Sequence, residues 1–140
     1  MTHPFSNINT MVDPPFYHVK VNQSGYMFIG TINGRRYTAA KYPQALAEQY
    51  ALPHLVRPGA KDVLVVGSGS GIDVEAALLS GAEHVDAVEV DPVIIEIGHQ
   101  YNASQSYKDP RVSIHTDDAR AFFKKNQRTY DMVVFGFLDS

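Results

Sequence analysis

The chain has 140 residues, 44% of them hydrophobic and 19% charged, enough to bury a core but with room for about one domain. Twelve basic against fifteen acidic residues leave a net charge of -3, which argues against a broad phosphate-binding surface and therefore against a nucleic-acid partner. With no cysteine, disulfides, thiolate zinc sites and cysteine nucleophiles are excluded by count, in keeping with a reducing, cytoplasmic setting.

Met1 to Val12 has neither the basic stretch nor the apolar run of a secretory signal. Residues 1–14, punctuated by Pro4 and Pro14, read as a loose lead-in. From 15 to 41 the pattern is that of a small antiparallel β-meander, with strands at Phe16 to Val21, Tyr26 to Ile32 and Arg35 to Ala39. Asn22 to Gly25 forms its first turn, and Asn33-Gly34 suits a type I′ turn at its second. Pro43 opens a helix expected to run to Leu52 and to stop at Pro53.

Residues 42–140 then alternate strand and helix, which predicts parallel βαβ units. Val63 to Val66, Val85 to Val90, Val112 to His115 and Met132 to Phe135 read as strands buried on both faces. The helices between them have recognisable ends. One covers about Asp73 to Ser80 and stops at Gly81; the next has Asp91 as N-cap and Pro92 at its first position. A third follows Asp117-Asp118, carries Ala119, Phe122 and Phe123 on its apolar side, and ends at Lys124 and Lys125. The expected fold is α/β: a small meander, then a doubly wound Rossmann-like parallel sheet. Only four strands are predicted, the last of them an apolar edge, so the sequence reads as a fragment of a larger sheet. The longest apolar run, Met132 to Leu138, is too short to span a bilayer, so no membrane contact is expected within the chain.

Gly67-Ser68-Gly69-Ser70-Gly71 follows the first parallel strand and precedes a helix, where glycines let backbone N–H groups approach a nucleotide ligand. A structural turn is the alternative. Ile72 stands where the dinucleotide fingerprint needs a third glycine, which weighs against a nicotinamide or flavin. Glu89 ends the second strand, twenty residues after Gly69, where a carboxylate can accept from both ribose hydroxyls. Asp117 and Asp118 follow the third strand at the mouth of the same crevice, as acceptors for an adenine amino group or as helix caps. Asp139, after the fourth strand, is the candidate catalytic acid or base. Asp73 lies in a first helical turn, suited to the positive helix end or to an amine ligand. The six histidines lack metal-ligand spacing, so no metal is expected.

VLVVGSGSGIDV, DAVEVDPVI, DPRVSIHTDDARAFF and YDMVVFGFLDS, in this order, resemble the spermidine synthase (polyamine aminopropyltransferase) superfamily, with its class I methyltransferase-like Rossmann fold. Val65 supports the synthase side, because many methyltransferases carry an acid at that place. The resemblance implies decarboxylated S-adenosylmethionine or S-adenosylmethionine as co-substrate, a small-molecule amine acceptor and a homodimer. It implies that Gly67 to Gly71 contact the nucleoside and its sulfonium tail, Glu89 the ribose, and Asp118 with Ala119 the adenine. The family pattern is not complete here. Ser70 stands at the aspartate of GGGDGG, Gly136 replaces the usual catalytic aspartate while Asp139 keeps the second, Tyr17 stands for a glutamine, and the segment around Tyr42 lacks YHE. Such departures resemble a divergent branch whose members are often long chains with membrane-spanning segments elsewhere. The expected function is aminopropyl transfer to an amine in polyamine biosynthesis; methyl transfer from S-adenosylmethionine and nucleoside binding without turnover are the alternatives.

Overall fold

The computed structural model describes the backbone of residues 8–12, 16–21, 24–29 and 43–49, and describes residues 50–102 and 104–136 in full. β1 (Ile8–Val12), β2 (Phe16–Val21) and β3 (Ser24–Ile29) form an antiparallel sheet in the order β1-β2-β3. Its first strand falls inside the stretch expected to be a loose lead-in. The alternation Ile8, Thr10, Val12 is a β-branched, period-two signal that the surrounding turn formers obscured. Register shifts between Thr10 and Val12, and between Val19 and Lys20, interrupt both ladders. The expected Asn33-Gly34 turn and Arg35 to Ala39 strand lie outside the described residues.

α1 (Pro43–Val56) starts at the expected proline but runs through Pro53. Proline there removes one helical N–H, yet its own carbonyl still accepts from the Arg57 amide at 3.0 Å, so the helix continues for another turn.

Four parallel strands follow: β4 (Asp62–Val66), β5 (His84–Glu89), β6 (Val112–Thr116) and β7 (Met132–Phe135), in the order β6-β5-β4-β7. The chain therefore steps one way from β4 to β6 and returns to the other side of β4 for β7. α2 (Ile72–Leu79), α3 (Pro92–Tyr101) and α4 (Ala119–Lys125) make the crossovers, with a single 3-10 turn at Ser106–Lys108 before β6. Their ends follow the sequence signals: Gly81 takes φ 94 just beyond α2, and the Asp91 carboxylate accepts from the Val93 amide at 2.9 Å ahead of Pro92.

The pleat divides the core between two faces. Val63, Val65, Val85, Ala87, Met132 and Val134 pack with Val74, Ala77 and Ile95 of α2 and α3, while Leu64, Val66 and Val88 pack with Phe122 of α4. Burial of each valine, leucine, isoleucine, methionine or phenylalanine among them contributes roughly 1.5–3 kcal/mol relative to exposure. β4, with neighbours on both edges and both faces, has Val63 to Leu64 and Val65 wholly buried. β7 corrects the expectation of two-sided burial. Met132 and Val134 are buried, but Val133 and Phe135 are 43% and 63% exposed, because among the described residues no helix covers that face beside β7.

Candidate functional site

Because all four strands of this sheet are parallel, Gly67, Glu89, Asp117 and Gly136 emerge at the same edge, and the strand order reverses between β4 and β7. A crevice at such a reversal is where open α/β sheets place ligands. The glycine loop leaves β4 still paired: the amides of Gly67 and Ser68 donate to the Val88 carbonyl at 2.8 and 3.1 Å. Gly67, Gly69 and Gly71 take φ values of 70, 56 and 100, left-handed backbone that only glycine adopts without strain. The loop conformation is thus the reason for the alternating glycines.

Glu89 is the most fully specified member of the site. Its Oε1 accepts from the Gly69 amide at 3.0 Å and its Oε2 from the Asp91 amide at 3.1 Å. Two backbone donors fix the carboxylate, and each oxygen retains a further acceptor direction. Of the two aspartates after β6, Asp118 is the one that caps α4, its Oδ1 accepting from the amides of Arg120 and Ala121 at 2.9 and 3.3 Å. Asp117 accepts from the Asp118 amide through Oδ1 and from Lys125 Nζ at 3.1 Å through Oδ2. Ala119 begins α4 beside them. Gly67 to Gly71, Glu89, Asp117, Asp118 and Ala119 are therefore brought along one edge. Asp139 lies outside the described residues, as do Tyr42 and the side chain of Tyr17.

A buried layer under the loop has no signature in the sequence. The Asn102 side-chain amide donates to the Ser70 carbonyl at 2.9 Å, and the Ser106 hydroxyl to the Gly71 carbonyl at 2.8 Å. The Tyr107 hydroxyl donates to the Gly69 carbonyl. Because Tyr107 has one proton to give, the Ser68 hydroxyl is the donor in the 2.7 Å contact between them. Burial, with smaller contributions from the charges of Glu89 and Asp73, pushes the Tyr107 hydroxyl well up, against the opposing effect of the Ser68 hydrogen bond. It stays a neutral donor. Three consecutive loop carbonyls are thus held inward by one segment, 102–107.

Asp73 is the other group that sequence reasoning left undecided. It sits on the first turn of α2, and burial pushes its carboxyl from 3.8 up to about 6. Its charge also reaches Tyr50 of α1, which is pushed up to about 12, mainly by burial. Among the described residues no group of three His, Asp or Glu side chains is arranged to hold a metal ion, and no helix is long and apolar enough to cross a membrane.

With this geometry in view, the relatives are informative. The chain is 32% identical over 91 residues to a polyamine aminopropyltransferase of Alkaliphilus metalliredigens, covering 63% of this chain and 32% of that protein. It is 38% identical over 87 residues to spermidine synthase 2 of Hyoscyamus niger, covering 59% of this chain and 28% of that one. The chain thus spans about a third of the length of these relatives. Its fold superposes on a spermidine synthase solved in complex with the transition-state analogue AdoDATO, with a TM-score of 0.60, 22% identity, and coverage of 92% of this chain and 46% of the other. The spermine/spermidine synthase domain matches residues 46–140, which contain the glycine loop, Glu89 and the Asp117-Asp118 pair. Well over half of the chain lies within that match, and the protein belongs to the spermine/spermidine synthase domain family.

Proposed function

We propose that this domain binds decarboxylated S-adenosylmethionine and transfers its aminopropyl group to a small-molecule amine, a step of polyamine biosynthesis. The observation that carries this reading is the Glu89 carboxylate, clasped by the amides of Gly69 and Asp91 beside a glycine loop in left-handed backbone. Its remaining acceptor directions suit the two ribose hydroxyls. Asp118, with only Oδ1 committed to capping, leaves Oδ2 for an adenine amino group next to Ala119. The relatives named as polyamine aminopropyltransferase and spermidine synthase support the same chemistry, and a related spermidine synthase takes AdoDATO.

The reaction is a displacement. The lone pair of the acceptor nitrogen forms a bond to the propyl carbon attached to sulfur; the carbon–sulfur bond breaks, its electron pair leaves with sulfur, and a neutral thioether results. The nitrogen gives up a proton to a carboxylate, the role we assign to Asp139. Holding the two reactants in line supplies most of the acceleration. A donor that kept its carboxylate would bring a negative charge toward the carboxyl groups of Glu89 and Asp73, so the decarboxylated donor fits better.

Calorimetric titration with decarboxylated and with ordinary S-adenosylmethionine tests this. We expect preference for the decarboxylated donor, and a loss of about tenfold or more in affinity on Glu89→Gln, which weakens two charge-assisted hydrogen bonds. Preference for the carboxylated donor would replace this reading with methyl transfer, which serine at position 70 and glycine at 136, in place of the family's acids, would then explain. Tight binding of either donor with no transfer to any amine by the whole protein would leave a nucleoside-binding module.

A further inference from the structure

We propose that the Asp73 carboxylate binds a primary alkylammonium group at the reversal of the strand order; this rests on the reading of the glycine loop and Glu89 as an adenosyl site. The location is the first argument. A Cβ on Gly136, at the end of β7, would overlap the Gly67 carbonyl oxygen and lie 3.1 Å from Asp73 Oδ2. The carboxylate of Asp73 therefore fills the wall between the ends of β4 and β7. It does so beside the position, now glycine, where the family resemblance implies an aspartate. The acid is supplied from α2, on the other side of the crevice.

The order of groups along the edge is the second argument. Asp118 follows β6, Glu89 ends β5, the glycine loop follows β4, and Gly136 with Asp73 marks β7. Adjacent strands are about 4.8 Å apart, so three spacings give roughly 14 Å, close to the reach of an extended chain of adenine, ribose, sulfonium and propylamine. Adenine at Asp118 and ribose at Glu89 would bring the amine end of a donor, or the amine of an acceptor meeting it, to Asp73.

The surroundings of Asp73 are the third. An acid kept only for the positive end of α2 would be stabilised as an anion, whereas burial moves this carboxyl the other way and no positive group among the described residues offsets it. Tyr50 from α1 and Tyr107 from the 3-10 turn are the titratable groups whose fields couple to it, with Glu89 acting on Tyr107 from the far side. Both tyrosines are neutral hydroxyls over the working range, and a carboxylate in this company gains most from an arriving cation.

The experiment is a calorimetric comparison of the full chain with Asp73→Asn and Asp73→Ser. Three probes are used: decarboxylated S-adenosylmethionine, the matching thioether 5′-methylthioadenosine, which lacks the propylamine, and 1,4-diaminobutane. Near neutral pH we expect both variants to bind the thioether within about twofold of the unsubstituted chain, and to lose about tenfold or more for an amine-bearing probe. Loss for the adenosyl donor assigns the site to the donor's amine; loss for the diamine alone assigns it to the acceptor. Affinity of the unsubstituted chain for that probe should also rise between about pH 5 and about pH 7 as the carboxyl ionises, and this rise should vanish in the variants. Thermal melting of each variant verifies its fold. Unchanged binding of all three probes overturns the proposal, and so does an equal loss for all three, which would mean only that the loop had been disturbed. Failure of the unsubstituted chain to bind either nucleoside refutes instead the adenosyl site on which the proposal rests.

Discussion

Asp73 is pulled in two directions, by a helix N-terminus that favours its anion and by burial that opposes it. Burial wins, because the carboxyl is pushed from 3.8 up to about 6. The folded chain then holds that proton more tightly than the unfolded one, so Asp73 favours folding below its ordinary range, and the advantage is lost as pH rises through about 6. At neutral pH the ionised acid costs on the order of 3 kcal/mol. Asp73→Asn should therefore melt several degrees above the unsubstituted chain near pH 7, with the gap closing toward pH 4; unfolding followed by circular dichroism at both pH values would show it. The positions of Glu89 and of the Asp117-Asp118 pair were legible in the sequence, because strand ends and helix starts carry local signatures. For Asp73 the sequence left the helix end and an amine ligand both open, and it could not show the neighbour Gly136, 63 positions away in a strand that returns to the other side of β4.

Elements decide how firmly these residues are held. The glycine loop rests on segment 102–107, and Tyr107 bridges the Ser68 hydroxyl and the Gly69 carbonyl. Tyr107→Phe keeps the ring but leaves both groups without that partner. We expect about 1–3 kcal/mol of lost stability, together with several-fold weaker nucleoside binding in the same titration, since Gly69 also donates to Glu89. The opposite face of the sheet carries a different polar cluster. Asp86, 2% exposed on β5, accepts from Tyr130 Oη at 2.7 Å and from Arg128 Nη1 at 3.2 Å, and lies 2.9 Å from His115 Nε2. Burial alone would raise its carboxyl; the hydrogen bonds from Tyr130 and His115 and the charges of Arg128 and His84 outweigh it and hold it below the ordinary value. Stability from this group is present above the ordinary carboxylate range and is lost as pH falls through the lower folded value. Asp86→Asn should lower stability at neutral pH by on the order of 2 kcal/mol, Arg128 being too exposed to contribute its full charge. The same variant should show a shallower loss of stability in acid titration as pH falls below the ordinary carboxylate range.

At the scale of the molecule, the parallel sheet aligns the site by bringing four strand ends to one edge. One of its two outer strands, β7, is exposed on one face. Val133 and Phe135 present apolar surface on β7, and Phe123 of α4 is 47% exposed. Edge strands with apolar side chains associate unless charged or covered. Val133→Lys should reduce concentration-dependent association in sedimentation while changing the melting temperature little, because the valine is already 43% exposed. Association unaffected by the substitution would show that this surface is not the one that meets another copy.

The sequence by itself determined what depends on neighbours in the chain. It placed the four parallel strands and three helices between them to within a residue or two, the caps at Asp91 and Gly81, and the glycine loop with its partner Glu89. Those features follow from local backbone preference and from hydrophobic periods a few residues long. It missed β1, whose alternation is short and set among turn formers, and the extension of α1 past Pro53, where one lost hydrogen bond does not end a helix. Only the tertiary structure decided which of the two aspartates caps α4, that Tyr107 and Asn102 hold up the loop, and that Asp73 meets Gly136 across the reversal of the sheet. These are contacts between distant segments. Their partners are chosen by strand order and packing, which no local window of residues contains.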